Sequence, residues 1–201
     1  VDRFIDASDF FTIDVADYIG KATDAASTEK FVQYNLKYAG NLVIPGIEQP
    51  FKVDRSLIET MAGKYLFAVQ EAGRIYRHIA DRKGADNFVT EVSMDEVDSP
   101  QTPIEIFFIL SALAQEQVPA QTIAPKFTGR FNKGVEYVGD TAQFEKEFRE
   151  DLLVIDFAVK EFNLPEGLKL SIHSGSDKFS IYPIMGRLIR KYDKGIHIKT
   201  A

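Results

Sequence analysis

No cysteine occurs in the 201 residues, which excludes disulfides, thiolate metal sites and a cysteine nucleophile. The absence fits a reducing cytoplasm. Basic residues are in the minority: 24 Lys and Arg against 30 Asp and Glu leave a net charge of −6 and a pI near 5.2. Nucleic-acid binders carry a basic face, so this balance argues against such a partner. Long apolar runs are missing too. The longest, IEIFFILSALA at 104–114, is well short of the roughly 20 residues that span a bilayer and reads as a buried helix. No signal peptide is visible, so no membrane partner is expected. Imidazole is scarce, with only His78, His173 and His197.

What remains is an ordinary globular composition, 45% hydrophobic and 27% charged. A chain of this length buries roughly 70% of its unfolded surface, enough to fold without a metal or crosslink. Residues 1–201 read as a single domain, and a homo-oligomer is compatible with it. The chain opens on VDRF without methionine and stops at HIKTA just after a strand-like run. Such ends are expected of a piece of a longer protein.

Five segments read as strands from their β-branched and aromatic residues: FFTID (10–14), FVTEVSM (88–94), QTIAP (121–125), LKLSIH (168–173) and GIHIKT (195–200). Helical periodicity fills 27–40, 53–84, 99–117, 139–163 and 180–193. The first of these carries a Ser or Thr cap and a Gly stop. Gly63 and Gly73 cost about 1 kcal/mol each relative to alanine, so 53–84 is open to division into two helices. Asp140 is placed to cap 139–163. Strand and helix alternate, which argues for parallel strands joined by right-handed crossovers. No G-x-G-x-x-G, phosphate loop or fixed-period repeat is present. An α/β fold of the (β/α) TIM-barrel type is favoured, because polar residues recur at the carboxyl ends of strands. Five strands cover only part of an eight-stranded barrel; the alternative is an open sheet.

The strand exits present Asp14, then Asp95 with Glu96, Lys126, His173 through Asp177, and His197 with Lys199. Such a set suits a divalent metal held by imidazole and carboxylate, with a neighbouring group for proton transfer. Each member has a plainer reading. His173 could cap a helix or hydrogen-bond in the core. His197 alternates with Ile196 and Ile198 and so faces opposite to them. His78 reads as solvated surface. Asp95, Glu96 and Asp98 could be an acidic loop before a helix N-terminus. Glu91 shares the parity of Ser93 and Asp95 and could point inward with them. Lys126 could form a Schiff base, although a salt bridge to one of those carboxylates is the plainer expectation. The SGSD stretch at 174–177 offers exposed amides for a hydroxyl or anion.

Taken together, EVSMDEVDSPQTP, APKFTGRFNKGVEYVGD, LSIHSGSDKFSIYPIMGR and HIKTA resemble the tagaturonate epimerase family of bacterial hexuronate metabolism. The likeness runs from DRFIDASDFFTID to the last residue, and SIHSGSDKFSIYP is its most specific block. The resemblance implies a metal-dependent (β/α)-barrel enzyme, longer than this chain, that interconverts tagaturonate and fructuronate at C4. It implies that His173 and His197 ligate a divalent metal (zinc, nickel, manganese or iron) and that Glu96 donates a proton. Ser176, Asp140 and Lys126 would touch the sugar acid. The family's partner base and a further metal histidine would lie upstream of VDRF, so the piece alone is expected to be inactive. Because C4 is not next to the ketone, a retro-aldol cleavage of C3–C4 competes with direct proton transfer at C4. The alternatives are a lysine-dependent aldolase using Lys126 or Lys199, and a non-catalytic sugar-acid binding module.

Overall fold

Short β-branched strands separated by long amphipathic helices have one economical packing, a parallel sheet with helices over its apolar face. In the computed structural model, which describes residues 1–200, the chain follows that plan; Ala201, the end of HIKTA, lies outside the described residues. The elements in order are β1 (Phe10–Asp14), α1 (Ala25–Asn35), β2 (Gly40–Leu42), β3 (Phe51–Val53), α2 (Arg55–Met61), α3 (Phe67–Lys83), β4 (Val89–Ser93), α4 (Pro103–Gln115), β5 (Thr122–Ala124), α5 (Thr141–Phe162), β6 (Lys169–Ile172), α6 (Tyr182–Tyr192) and β7 (Ile196–Ile198). The main sheet has the order β1-β4-β5-β6-β7, with every neighbouring pair parallel.

Register divides the sheet into two chemistries. Residues partnered across a ladder share a face, and Thr12 partners Glu91, Glu91 partners Thr122, and Ser171 partners His197. One face therefore carries hydroxyl, carboxylate and imidazole. The residues that alternate with them, Ile13, Val92, Ile123, Leu170 and Ile172, are buried in the core beneath the helices. The sheet curls around the polar face. Flat, its two edge strands would stand about 19 Å apart, four gaps of about 4.8 Å. Instead the rings of Phe10 on β1 and His197 on β7 have centroids 5.0 Å apart.

The curl stops short of closure. Among the described residues β1 and β7 do not pair with each other, so the five strands form an open arc and not the closed barrel. A hairpin of β2 and β3 forms a second, antiparallel sheet between α1 and α2. Its three-residue strands are too short to show alternation, which is why the sequence gives no sign of it.

The helices also depart from expectation in detail. The cap of α1 is Asp24, whose carboxylate accepts from Ser27 N, and the helix ends at Asn35, well before Gly40. As expected, 53–84 carries two α-helices: Gly63 sits in the π-helical turn, 62–66, that joins α2 to α3 without a break, while Gly73 lies within α3. At the start of α4, Glu105 accepts from Thr102 N at 2.7 Å and Thr102 Oγ1 at 2.8 Å. It also takes Lys64 Nζ at 2.6 Å and Tyr65 OH at 2.8 Å, binding α4 to the π turn. Among the described residues no helix is long and apolar enough to cross a membrane.

Replacing the buried Glu105 with alanine strips partners from a lysine, a tyrosine and a helix N-terminus together. Urea unfolding followed by circular dichroism should show a loss of about 3 kcal/mol for Glu105→Ala, the scale of charge-assisted hydrogen bonds removed from a buried site. A loss within the few tenths typical of surface changes would show that α4 is held by apolar packing alone.

Candidate active site

Glu91 lies mid-strand in β4 and is 0% exposed. A carboxylate in that position is tolerated only if its lone pairs are met by donors and its charge by a cation. Both conditions hold. Oε1 accepts from Thr12 Oγ1 at 2.9 Å and from His173 Nε2 at 2.8 Å. Oε2 accepts from Thr122 Oγ1 at 2.9 Å and lies 3.2 Å from His197 Nδ1. Ser171 Oγ is 3.0 Å from the same His197 nitrogen. Through these groups β1, β5, β6 and its exit, and β7 all converge on one side chain of β4.

His173 is bound at both ring nitrogens, since its Nδ1 meets Asp95 Oδ1 at 2.9 Å. Asp95 in turn accepts from Ser93 Oγ at 2.5 Å. A ring with an acceptor at each nitrogen donates twice and is an imidazolium. Burial opposes that charge, but the bonds to Asp95 and Glu91 outweigh it and raise the His173 pKa to about 9. Burial likewise works to raise Glu91, and the bonds from His173, Ser171 and Thr122 overcome it, bringing the carboxyl down to about 2. Asp95 is lowered against burial by the same imidazole and by Ser93. His197 differs. Its Nδ1 is turned to a carboxylate, which can only accept, so Nδ1 carries a hydrogen. Among the described residues its Nε2 has no hydrogen-bond partner.

The turn after β6 explains the spacing in SIHSGSDK. Ser174 takes a left-handed φ of 50° to reverse the chain immediately after the imidazole. Gly175 then donates to Lys199 O, and a Cβ there would come within 3.0 Å of Ile172 and 3.1 Å of Ile198, so glycine lets the turn pack tightly against β6 and β7. Lys178 is 0% exposed and donates to the carbonyls of Asn132 at 2.9 Å and Val135 at 2.6 Å. Asp177 accepts from Gly134 N at 3.1 Å. The histidine turn thus serves as the anchor for the long β5–α5 loop, and between them lies a cavity of about 220 Å³ lined by Asp95, Lys126, Arg130, Asn132 and His173, among others.

The site residues expected from sequence fall into separate groups. His173 and His197 come together on one face, joined through Glu91. Lys126 lines the cavity, but its ammonium reaches the backbone carbonyl of Asp95 at 3.5 Å and not a carboxylate, contrary to the expected salt bridge. Ser176 is half-buried in the turn, its carbonyl accepting from Tyr182 OH. Asp140 is exposed and caps α5, accepting from Ala142 N at 2.8 Å and Gln143 N at 3.3 Å. Glu96 is exposed and lines a different cavity, of about 350 Å³, with Asp17, Lys64 and Gln101. His78 is on the surface, 2.6 Å from Asp2. Parity along the strand predicts that Glu91 points inward; no local signal marks its three hydroxyl partners or Lys178.

Among the described residues no three imidazole or carboxylate side chains are grouped to hold a metal ion. The donors that are present fit part of such a set. His197 Nε2 is available, and Glu91 behind Nδ1 is the orienting carboxylate that ligating histidines ordinarily have. A cation at His173 would take Nδ1, displacing its proton and the Asp95 contact.

A model of the family described as tagaturonate epimerase matches residues 4–201. The Tagaturonate/fructuronate epimerase of Thermotoga maritima is 30% identical over 199 residues, covering 95% of this chain and 39% of that protein. The native crystal structure of the fructuronate-tagaturonate epimerase UxaE from Cohnella laeviribosi has a TM-score of 0.77 at 28% identity. A one-glycerol complex of the same enzyme has a TM-score of 0.76, also at 28% identity. Each covers all of this chain, which spans 41% of theirs.

The imidazole assignment has a direct readout. A group whose folded pKa is raised, as His173 is, contributes stability below its unfolded value near 6.5 and loses it as pH climbs toward about 9. Glu91, lowered to about 2, contributes above its unfolded value and loses that contribution as pH falls toward about 2. With chelator present, the His173 ring resonances should titrate near pH 9, and Glu91→Gln should move that midpoint down. A His173 midpoint at 6.5 that ignores the substitution would refute the shared carboxylate.

Proposed function

The chain belongs to the tagaturonate epimerase family, and on that premise we propose that it supplies the metal-binding and sugar-acid-binding part of a tagaturonate/fructuronate C4-epimerase. The observation that supports this most strongly is the pair of imidazoles held on one face by the two oxygens of Glu91. The chain spans 39% of the curated relative it matches, so the activity is proposed for the full-length gene product. In that product the open arc of β1, β4, β5, β6 and β7 would form part of a (β/α)-barrel, with its site at the carboxyl ends of the strands. A cytoplasmic setting agrees with the absence of cysteine.

His173 and His197 would hold a divalent cation, with zinc, nickel, manganese and iron all compatible with imidazole and carboxylate. When bound, such a cation polarises the substrate's carbonyl as a Lewis acid. Glu91 orients the His197 ring through Nδ1, and it holds the His173 ring through Nε2. Ser93 positions Asp95, which holds the proton on His173 Nδ1. Lys126, Ser176 and Asp140 would contact the sugar acid. Glu96, on the loop that follows β4, would return a proton. From its cavity beside Lys64 and Gln101 it must meet a substrate that extends across the mouth of the sheet.

Chelation of the full-length product should abolish interconversion of tagaturonate and fructuronate, and a divalent ion should restore it. Glu96→Gln should lower kcat with metal content unchanged, whereas His197→Ala should lose metal. In deuterated water, deuterium at C4 would exclude the retro-aldol route. Activity that survives chelation, with a Lys126 adduct trapped by borohydride, would replace this reading with the aldolase one.

A further inference from the structure

The cavity beside His173 has an imbalance that the family assignment does not use. Three cationic side chains, Lys126, Arg130 and the His173 imidazolium, line it against one carboxylate, Asp95. Asp95 is already engaged by His173 at 2.9 Å and Ser93 at 2.5 Å. Among the described residues the Arg130 guanidinium makes neither a hydrogen bond nor an ion pair.

Arg130 is exposed at the rim of the cavity, and on a loose loop it would be an ordinary solvated cation. The loop that carries Arg130 is built otherwise. Its own N–H donates to Val138 O at 2.9 Å, closing the loop on itself. Thr128 is bound at N and Oγ1 by Glu147, at 2.9 and 2.5 Å. Gly129, at φ 100°, lies so close beneath Tyr137 that a Cβ would come within 2.6 Å of the ring. Tyr137 OH donates to Thr128 O at 2.9 Å. On the far side, the buried Lys178 holds the carbonyls of Asn132 and Val135. Arg130 therefore stands between two fixed points with its donors unspent. Its planar fork matches a carboxylate bidentately, which neither a lysine nor an amide does.

We propose that Arg130, with Lys126 beside it, receives the carboxylate of the sugar acid and sets the preference for a keto-hexuronate over the neutral ketohexose. The identity of the sugar rests on the epimerase reading; the anion site rests on the cavity.

The test uses Arg130→Met and Arg130→Lys in the full-length gene product, with fructuronate and the neutral ketohexose fructose as probes. The clamp predicts that the acid-over-neutral ratio of kcat/KM falls about 10- to 100-fold in Arg130→Met, the scale of a charge-assisted hydrogen bond, with the loss in KM for the acid. Arg130→Lys should lie between. Added salt should raise the KM of the parent protein for fructuronate more than for fructose, a readout independent of any variant's folding. Calorimetric binding of fructuronate separates this proposal from the epimerase reading. If the parent binds fructuronate without interconverting it, and Arg130→Met binds it at least 10-fold more weakly, the anion site stands and the epimerase reading falls. An unchanged ratio with salt-insensitive KM, equal binding by parent and variant, or no fructuronate binding by the parent overturns the anion site.

Discussion

A charged carboxylate in the middle of a β-strand, 0% exposed, is the constraint to which the rest of the site answers. Moving such a group out of water costs several kcal/mol even after relaxation, and an incomplete set of partners would leave most of that cost standing. Glu91 is met at both oxygens by hydroxyls from the flanking strands and by imidazoles from beyond them. Those partners lie on four other strands or their exits, so satisfying one side chain fixes the polar face of the whole sheet. It also requires the sheet to curl. Only in a curved arc do the β1 and β7 side chains come near enough for Phe10 to pack on His197. Opposite, the apolar residues of the same strands meet the helices, so one alternation in sequence serves both the core and the site.

Above the sheet the same economy recurs in the loops. Ser174 and Gly175 reverse the chain within two residues of β6, leaving His173 at the strand's end with both nitrogens directed at carboxylates. The next residues turn outward to hold the β5–α5 loop, through a buried ammonium that donates to two carbonyls. The position agrees with the general behaviour of parallel sheets, in which ligands gather at the carboxyl ends of strands. Rigid neighbours matter here because a cavity lined by cations discriminates among ligands only if those cations cannot follow whatever enters.

How much of this was legible depended on the range of the interaction. FFTID was read to the residue because its signal is local: β-branched and aromatic residues bounded by breakers. The β2–β3 hairpin was not, since three residues per strand carry no period. Gly63 marks the boundary between α2 and α3, but the chain does not break there. Its helical cost is real, but the π turn around it is bounded on both sides by buried residues, Met61, Ala62, Tyr65 and Leu66, and packing prevails over propensity. Parity turned Glu91 inward, and alternation set His197 against its isoleucine neighbours. That both histidines meet on one carboxylate was invisible, because the contacts span 82 and 106 residues. Lys178, in a run of small and charged residues, carries no local mark of burial. Charge alone predicts a carboxylate partner for Lys126, and the fold supplies a carbonyl in its place.

One carboxylate, Glu91, couples two imidazoles brought from separate strands. Double-mutant cycles measure that coupling directly, pairing Glu91→Gln first with His173→Gln and then with His197→Gln in equilibrium unfolding at neutral pH. Interaction energies of about 1–3 kcal/mol are expected in both cycles, the larger for His173, whose charge is compensated there. Additive losses in either cycle would mean that the corresponding ring is held by its own strand and not by Glu91.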